Sequence, residues 1–308
     1  MRNKFAEIIY DKIKKDKKII ILSGDIGNNL FNNIKKDFPK NFLNCGIAEQ
    51  NMITFATGLA SQGYIPICYT ISTFLIYKTF EQIRNNAAYN DNRIILVGTG
   101  SGLSYSQLGT THYSLEDIGI VNNIPSINIF SSADSNDLKK HVDFSLNSKK
   151  TSYIRIGKKN EPIIKKPLIN SNPLNLVSKG KEVALICTGP IIDLAIEIKN
   201  KIYPKENISI YNFHKLKPIS NKQIEATLKN YKYIFTLEEH YHNTGIFSIL
   251  SNVIAQSRYN NKIIPINNNE DFIKYVGTRK TVRNEFGINV SKAKTKIEKE
   301  IKNRNRFR

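Results

Sequence analysis

The sequence has 308 residues, a length that predicts two domains, each large enough to bury its own core. Its net charge of +20 comes from lysines and arginines scattered along the chain, which favours a basic solvated surface for anionic substrates or an acidic partner over nucleic-acid binding. No apolar run reaches the ~20 residues of a membrane span or marks a signal peptide, and the three cysteines form no CxxC pair, so we expect a cytoplasmic protein without membrane attachment.

Apolar runs alternate with helical patterns along the whole chain. This alternation is typical of parallel sheets covered by helices, and it predicts two consecutive three-layer α/β/α domains, each with a mostly parallel sheet. The segment between the fifth and sixth runs is dense in Lys, Pro and Asn, so we predict domains at residues 1–157 and 181–308 joined by a linker at 158–180. The predicted strands are Lys18–Leu22, Ile65–Thr70, Arg93–Val97, Ser126–Phe130, Ser152–Ile156, Glu182–Cys187, Ile208–Phe213, Tyr233–Leu237 and Lys262–Ile266.

The segment G-I-A-E-Q-N-M places the carboxylate of Glu49 where a strand turns into a helix. Gly46 ends a short apolar-leaning run. Apolar residues then recur at helical spacing: Ile47, Phe55 and Leu59, with Ala48, Ala56 and Ala60. Glu49 is therefore expected in the first turn of that helix. An acidic residue in this position also complements the helix dipole, so its place alone does not establish chemistry.

Further segments follow Glu49 in a characteristic order. They are T-F-L-I-Y at 73–77, L-G-T-T-H-Y-S-L-E-D-I at 108–118 and I-P-S-I-N-I-F-S-S-A-D at 124–134. Taken together they resemble the transketolase family of thiamine diphosphate enzymes, with Ser132 in place of a family proline. The resemblance implies that Glu49 activates the cofactor by hydrogen-bonding its aminopyrimidine, that Phe74 stacks on this ring, and that Tyr77 is a second aromatic residue of the cofactor site.

The same resemblance assigns two residues to the substrate. His112 would face the substrate oxygens as a donor or proton shuttle, and Arg155 would grip a substrate phosphate, with a surface ion pair as the alternative for Arg155. Gly100 and Leu108 stand where sugar-phosphate transketolases carry a histidine and an aspartate that bind substrate hydroxyls. These departures indicate either a changed sugar, including a nucleotide-linked or otherwise modified one, or a lost activity.

The chain contains no G-D-G motif, with which the family holds Mg²⁺ and the cofactor phosphates. The nearest string, G-D-I-G, lies just before the Glu49 segment, so Asp25 is interpreted as a loop residue. The resemblance therefore implies the C-terminal subunit of a split transketolase, which transfers a two-carbon ketol unit from a ketose to an aldose only with an N-terminal partner subunit. That partner would hold most of the Mg²⁺ and diphosphate site, in an assembly of two copies of each chain.

Two other interpretations remain open. The β subunit of a 2-oxo acid dehydrogenase E1-type enzyme shares the two-domain plan and the activating glutamate, and a non-catalytic scaffold subunit would retain the fold without turnover. A further cluster, Glu238, Glu239, His240 and His242, has metal-ligand residue types. We interpret it as a hydrogen-bonded domain interface, and we expect this chain to supply no metal ligand of its own.

Overall fold

The first half of the chain contributes six strands to a seven-stranded sheet that is parallel except at one edge. The computed structural model describes residues 1–27, 29–159, 161, 163–164, 172–202, 207–259, 261–267 and 269–305. The inner strands are continuous apolar runs because helices cover both faces of the sheet. The elements are helix α1 (Arg2–Lys15), strand β1 (Ile19–Ser23), α2 (Asn32–Asp37), β2 (Phe42–Asn44), α3 (Glu49–Ser61), β3 (Ile65–Ile71), α4 (Ser72–Tyr77), α5 (Phe80–Gln82), β4 (Ile95–Thr99), α6 (Asp117–Asn122), β5 (Asn128–Ser131), α7 (Ser135–Asn147) and β6 (Ser152–Ile156). Short 3₁₀ turns lie at Pro39–Asn41, Ser106–Leu108 and Thr110–His112, and a π-helical turn lies at Ile83–Ala88.

The second half forms a five-stranded sheet with one antiparallel edge strand. Its elements are β7 (Leu174–Ser178), β8 (Val183–Cys187), a 3₁₀ turn (Gly189–Ile191), α8 (Ile192–Lys201), β9 (Ile208–Phe213), β10 (Lys215–Lys217), α9 (Asn221–Leu228), β11 (Tyr233–Leu237), α10 (Ile246–Ala255), β12 (Lys262–Pro265), α11 (Arg279–Glu285) and α12 (Val290–Asn305). The strand order is β12-β11-β8-β9-β7 here and β10-β5-β6-β4-β3-β1-β2 in the first sheet. β7 runs antiparallel to β9.

The predicted α/β architecture is confirmed, and each of the nine predicted strands coincides with an observed strand to within two residues at either end. The predicted linker at 158–180 is wrong at its C-terminal end, because residues 174–178 form β7 and pair with β9. Residues 160, 162 and 165–171 of that linker lie outside the described residues. In the part of the chain that the structure describes, no helix has both the length and the apolar character needed to cross a membrane.

Strand β10 connects the two halves of the molecule. It follows β9 of the second sheet but pairs antiparallel with β5 of the first, where Lys215 lies opposite Phe130. The sequence analysis did not predict this strand, because three residues of the pattern K-L-K carry no alternation long enough to recognise. The second half of the chain therefore completes the edge of the first sheet.

A buried ion pair lies where the two halves meet. Arg155 Nε on β6 donates to Asp117 Oδ2 at 2.7 Å, and Tyr153 donates its hydroxyl to the same oxygen at 2.7 Å. Arg155 Nη2 reaches across to the carbonyl oxygen of Glu239 at 3.2 Å, and the backbone N–H of Ile118 donates to His240 Nε2 at 3.2 Å. These contacts connect the loop after β11 to the segment that carries His112.

The carboxylate of Glu239 crosses the same interface. It accepts hydrogen bonds from Leu103 N at 3.0 Å, Arg279 Nη2 at 2.7 Å and Arg283 Nε at 2.5 Å. Burial alone would raise the pKa of this carboxyl, but the two guanidinium groups outweigh burial and hold the pKa well below its ordinary value. Glu239 and His240 thus accept hydrogen bonds from the first half of the chain, which agrees with the predicted domain-interface role of the E-E-H segment. Among the described residues, no group of three or more His, Cys, Asp or Glu side chains could hold a metal ion.

A chain of hydrogen bonds between neutral side chains joins α7 to the segment between β9 and β10. Ser132, the residue that replaces a family proline, lies 2.9 Å from His141 Nδ1, and His141 Nε2 lies 2.9 Å from His214 Nδ1. His214 Nε2 in turn contacts the carbonyl oxygen of Asn172 at 3.1 Å. Burial lowers the pKa of His141 well below its ordinary value and lowers that of His214 to about 4. Both imidazoles are therefore neutral at pH 7.

We expect His214→Gln to reduce the loss of stability on acidification. A glutamine can accept from His141 and donate to Asn172, but it does not titrate. His214 binds a proton near pH 6.5 in the unfolded chain but only near pH 4 in the folded one. Its contribution to the free energy of unfolding is therefore complete above pH 6.5 and is lost as the pH falls toward 4. Between these values the free energy of unfolding of the wild type should fall relative to the variant by up to about 1.4 kcal/mol per pH unit.

The measurement is urea unfolding of both proteins from pH 7.5 to 4.5. The raised pKa of Asp137 (about 6) and that of Glu238 (about 8), both caused mainly by burial, act in the opposite direction. These two carboxyl groups are present in both proteins, so their effects cancel in the difference between the two free energies of unfolding. Parallel stability curves would contradict the buried-histidine interpretation.

Candidate active site

Glu49 is the first residue of α3, in the turn position that the sequence predicts. The turn is anchored by Asn44 at the end of β2, whose side-chain oxygen accepts from Gly46 N at 3.0 Å and from Asp25 N at 3.2 Å. Gly46 has φ +70°, a conformation that favours glycine and turns the chain toward the helix. The side chain of Glu49 is only 3% exposed, and Asp25 is a loop residue as predicted.

Two of the apolar residues that indicated this helix do not face the core. Met52 and Ile53 point into the core, whereas Ile47 is 80% exposed and Phe55 is 45% exposed. The helix packs against β3 through the face that carries Met52, Ile53 and Ala56, so the residues between them point outward. In the single chain, the outer face of α3 carries Phe55 among polar and small residues, namely Gln50, Asn51, Thr54, Gly58 and Ser61.

Lys78, which the sequence analysis did not single out, links Glu49 to Phe74. Its Nζ lies 3.2 Å from Glu49 Oε2 and 4.7 Å from the centre of the Phe74 ring. Phe74 meets the ring of His112 edge to face, with centroids 5.1 Å apart and an interplanar angle of 70°. The structure thus brings three predicted site residues, Glu49, Phe74 and His112, into one group together with Lys78. We call these four residues the Glu49–His112 cluster. The spacing of Phe74 and Lys78, four residues apart at the end of α4, is the signal that identifies the lysine.

Two hydrogen bonds hold this cluster together. Thr73 Oγ1 donates to the carbonyl oxygen of Thr111 at 2.9 Å and so ties α4 to the 3₁₀ turn that carries His112. Gln50 Nε2 donates to the carbonyl oxygen of Lys78 at 2.9 Å and ties the start of α3 to the end of α4. Burial, together with the positive charge of Lys158, lowers the pKa of His112 below its ordinary value. The imidazole is therefore neutral near pH 7.

Tyr77 lies on the same helix as Phe74, but its hydroxyl is engaged with another side chain. It donates to the carboxylate of Glu116, and the backbone N–H of Glu116 donates back to Tyr77 Oη at 3.3 Å. Burial is the main cause that raises the pKa of the Tyr77 hydroxyl and also that of the Glu116 carboxyl. The ring of Tyr77 remains partly exposed, so its polar end is fixed and its apolar body faces outward.

The structure does not place Arg155 in the cluster. Its guanidinium is buried, pairs with Asp117 and donates to two backbone carbonyl oxygens, of Ser114 at 2.8 Å and of Glu239 at 3.2 Å. The predicted grip on a substrate phosphate is therefore corrected to a structural role at the domain interface, and the alternative of a surface ion pair is wrong because both partners are inaccessible. A substrate phosphate requires other cations.

The departures at positions 100 and 108 change the surroundings of His112. Gly100 has φ +88°, and a Cβ at this position would collide with the ring of Tyr105. Tyr105 occupies the space that a side chain at position 100 would need, and its ring centre lies 5.9 Å from that of His112. Leu108 is 52% exposed beside the same loop. An aromatic ring and an aliphatic side chain thus border His112 where the resemblance implies polar groups.

The side chains of the cluster fit one half of a thiamine diphosphate site. A buried carboxylate suits a pyrimidine nitrogen, and an aromatic face suits a heteroaromatic ring. Among the described residues, no group of three or more His, Cys, Asp or Glu side chains could hold the metal ion that accompanies the diphosphate. The fit is therefore to the pyrimidine end of the cofactor.

Comparisons with known proteins agree with this geometry. Residues 1–162 match the model of the transketolase pyrimidine binding domain, and residues 173–292 match that of the transketolase C-terminal domain. An apulose-4-phosphate transketolase subunit of Actinobacillus succinogenes is 31% identical over 227 residues, which cover 72% of each chain. The putative transketolase C-terminal section of Methanocaldococcus jannaschii is 28% identical and covers 88% of this chain and 87% of that one.

A solved structure described as a split gene transketolase, inactive beta4 tetramer, has the same fold. It superposes with a TM-score of 0.84 at 22% identity and covers 97% of this chain and 96% of that chain. The resemblance stated from the motifs is confirmed, since a family model spans more than half of the residues and similarity runs through both domains. The chain belongs to the transketolase family, whose members are thiamine diphosphate-dependent transferases, and it matches the length of the C-terminal subunit in the split forms of that family.

Proposed function

We propose that this chain is the C-terminal subunit of a two-chain transketolase that transfers a two-carbon ketol unit from a ketose donor to an aldose acceptor. The observation that carries the proposal is the Glu49–His112 cluster. In it, Lys78 contacts both the buried carboxylate of Glu49 and the ring of Phe74, and this ring contacts the neutral imidazole of His112. This chain supplies the pyrimidine half of the site. An N-terminal partner subunit supplies the Mg²⁺ and diphosphate half.

Each residue of the cluster has a distinct role in this proposal. Thiamine diphosphate supplies, when bound, the carbon nucleophile that carries the ketol unit. Glu49 forms a hydrogen bond to the pyrimidine ring and shares a proton with it from a position largely shielded from water. Phe74 orients the pyrimidine through its face, Tyr77 adds an apolar wall, and Lys78 holds the Glu49 carboxylate in place.

His112 handles the oxygens of the substrate. Thr111 Oγ1 lies 2.9 Å from His112 Nδ1, and with the hydroxyl as the donor the proton of the neutral ring is on Nε2. Nε2–H then donates a hydrogen bond to a substrate carbonyl or to the alkoxide that develops from it. The lowered pKa of His112 favours this neutral form at physiological pH.

Exposed large apolar side chains at and near α3 support the need for a partner. Ile47 and Phe55 point outward beside the start of the helix that carries Glu49, and Tyr89 is 84% exposed in the same half of the molecule. Large apolar side chains in such exposure are typical of surfaces that another chain covers. A related protein that consists of this kind of subunit alone is described as inactive. We infer that this chain alone is inactive and works in an assembly of two copies with two of the partner.

The test is reconstitution with the N-terminal subunit, the chain that carries the G-D-G motif. Ketol transfer, with thiamine diphosphate and Mg²⁺ present, is measured for each chain alone and for the mixture, and light scattering gives the mass of the complex. We expect turnover in the mixture only, with a mass of two plus two chains. A complex without turnover would favour the scaffold interpretation. Decarboxylation of a 2-oxo acid without ketol transfer would favour the dehydrogenase interpretation.

A further inference from the structure

The imidazole of His112 lies beside two aromatic rings. The ring centre of Phe74 is 5.1 Å from that of the imidazole, and the ring centre of Tyr105 is 5.9 Å from it. Both rings meet the imidazole edge to face. Tyr105 also fills the space that a side chain at position 100 would need. A substrate group that reaches the imidazole therefore contacts aromatic rings.

Exposed apolar side chains follow on the two loops next to His112. Leu108 belongs to the loop that carries His112, and Phe272, Tyr275 and Val276 belong to the loop between β12 and α11 of the second domain. Each of the four side chains is more than half exposed, and we call them the Leu108 patch. The two loops touch, since a Cβ at Gly109 would lie 3.4 Å from Val276 Cγ2. Single exposed apolar side chains are ordinary, but four on adjoining loops indicate a surface that binds something.

Hydrogen bonds hold the second of these loops in place beside His112. Thr110 Oγ1 donates to the carbonyl oxygen of Ile273 at 2.8 Å, and the hydroxyl of Tyr113 donates to that of Tyr275 at 2.6 Å. The two donors flank His112 in the sequence. The Leu108 patch is therefore preformed, and it adjoins the residue that is proposed to bind the substrate oxygens.

The chemistry of the patch selects hydrocarbon over hydroxyl groups. The side chains of Leu108, Phe272 and Val276 neither donate nor accept hydrogen bonds. A hydroxyl group placed against them loses hydrogen bonds to water without replacement, whereas a hydrocarbon group loses none and is itself removed from water. The patch is formed at the junction of the two domains next to His112, which favours the substrate over the partner subunit as its occupant.

We propose that the Leu108 patch binds hydrocarbon of the acceptor next to its reacting carbonyl, so that the acceptor is a deoxygenated sugar or an aliphatic aldehyde. This inference rests on the proposed function and specifies its substrate class. The donor ketose gives up its two-carbon unit and leaves as an aldehyde. The acceptor aldehyde carbon forms the new carbon–carbon bond, and one proton passes from the donor's hydroxyl to the acceptor's oxygen. The hydrocarbon on the patch takes no part in these changes.

The test uses the reconstituted two-chain enzyme, one ketose donor, and propanal and 2-hydroxypropanal as acceptors. These two aldehydes differ by one hydroxyl group next to the carbonyl. For the wild type we expect kcat/KM to be higher for propanal by about tenfold. In Leu108→Asp the ratio of the two kcat/KM values should fall by about tenfold or more, because the new carboxylate accepts a hydrogen bond from the hydroxyl group.

Three further variants separate specificity from general damage. Val276→Asp should lower the same ratio from the second domain. Leu108→Met keeps an apolar side chain and should keep the ratio. Ile196→Asp is the matched control, since it places the same charge on an exposed aliphatic position of α8 outside the patch, and it should leave the ratio unchanged.

The outcomes separate this inference from the proposed function. A wild-type preference for 2-hydroxypropanal, or a ratio that neither Leu108→Asp nor Val276→Asp changes, would overturn the apolar site while ketol transfer still supports the function. If both variants fail to assemble with the partner in light scattering, the patch is a subunit contact and the inference is wrong. If the wild-type complex transfers a ketol unit to no aldehyde, the proposed function fails, and this inference fails with it.

Discussion

Replacing Glu49 by glutamine should lower kcat of the reconstituted enzyme by roughly a hundredfold or more, which is the size of effect that general acid–base groups contribute. Glutamine keeps the shape of the side chain and its ability to bond a ring nitrogen, but it cannot share a proton with it. The fold should be unaffected, because the ion pair with Lys78 is half-exposed and contributes no more than about 1 kcal/mol. The measurement combines kcat for ketol transfer with thermal unfolding of the isolated chain.

Two further variants distinguish a chemical role of Glu49 from a structural one. Lys78→Gln removes the same ion pair and leaves the carboxyl in place, so it should retain most of the activity. Glu81→Gln makes the same chemical change on an exposed glutamate in α5 and should behave as the wild type. If Lys78→Gln loses as much activity as Glu49→Gln, the ion pair is what matters and the assigned role of the carboxyl is wrong.

The strands and the position of Glu49 could be predicted because each depends on local sequence. Buried parallel strands are continuous apolar runs, and a glycine between such a run and a helical pattern marks the turn that Gly46 makes with positive φ. β10 could not be predicted because it has only three residues, and β7 is not recognised because it directly follows the Lys-, Pro- and Asn-rich segment interpreted as the linker. The partner of Lys215, Phe130, lies far earlier in the chain.

The error at Arg155 has a different physical origin. The motif places an arginine at the end of a strand, and the sequence cannot show that Asp117, 38 residues earlier, lies against it. The pattern S-Y-I-R-I nevertheless contains a usable signal. An arginine in a strand whose residues are all buried needs an anionic partner inside the protein, so it is a poor candidate for an open phosphate site. The lysines three and four positions later, outside the strand, are the accessible cations.

Replacing Arg155 by methionine should destabilise the chain by about 3 to 5 kcal/mol, because it leaves the buried carboxylate of Asp117 without its ionic partner. In the wild type, burial would raise the pKa of Asp117, but the charge of Arg155 outweighs burial and lowers it. Without the guanidinium, burial raises the pKa of the folded state above the unfolded value. The variant then loses stability as the pH rises, and urea unfolding at pH 5.5 and 7.5 should show a smaller deficit at the lower pH.

The double variant Arg155→Met/Asp117→Asn completes the cycle. In the wild type, the Tyr153 hydroxyl donates a hydrogen bond to Asp117 Oδ2 at 2.7 Å. Asparagine is neutral and still accepts this hydrogen bond, so the double variant should be more stable than Arg155→Met alone. It should also lose the pH dependence of the single variant, since the orphaned carboxyl is gone. If Arg155→Met instead folds with unchanged stability and changes only KM for the substrate, the guanidinium reaches the substrate and its assigned structural role is wrong.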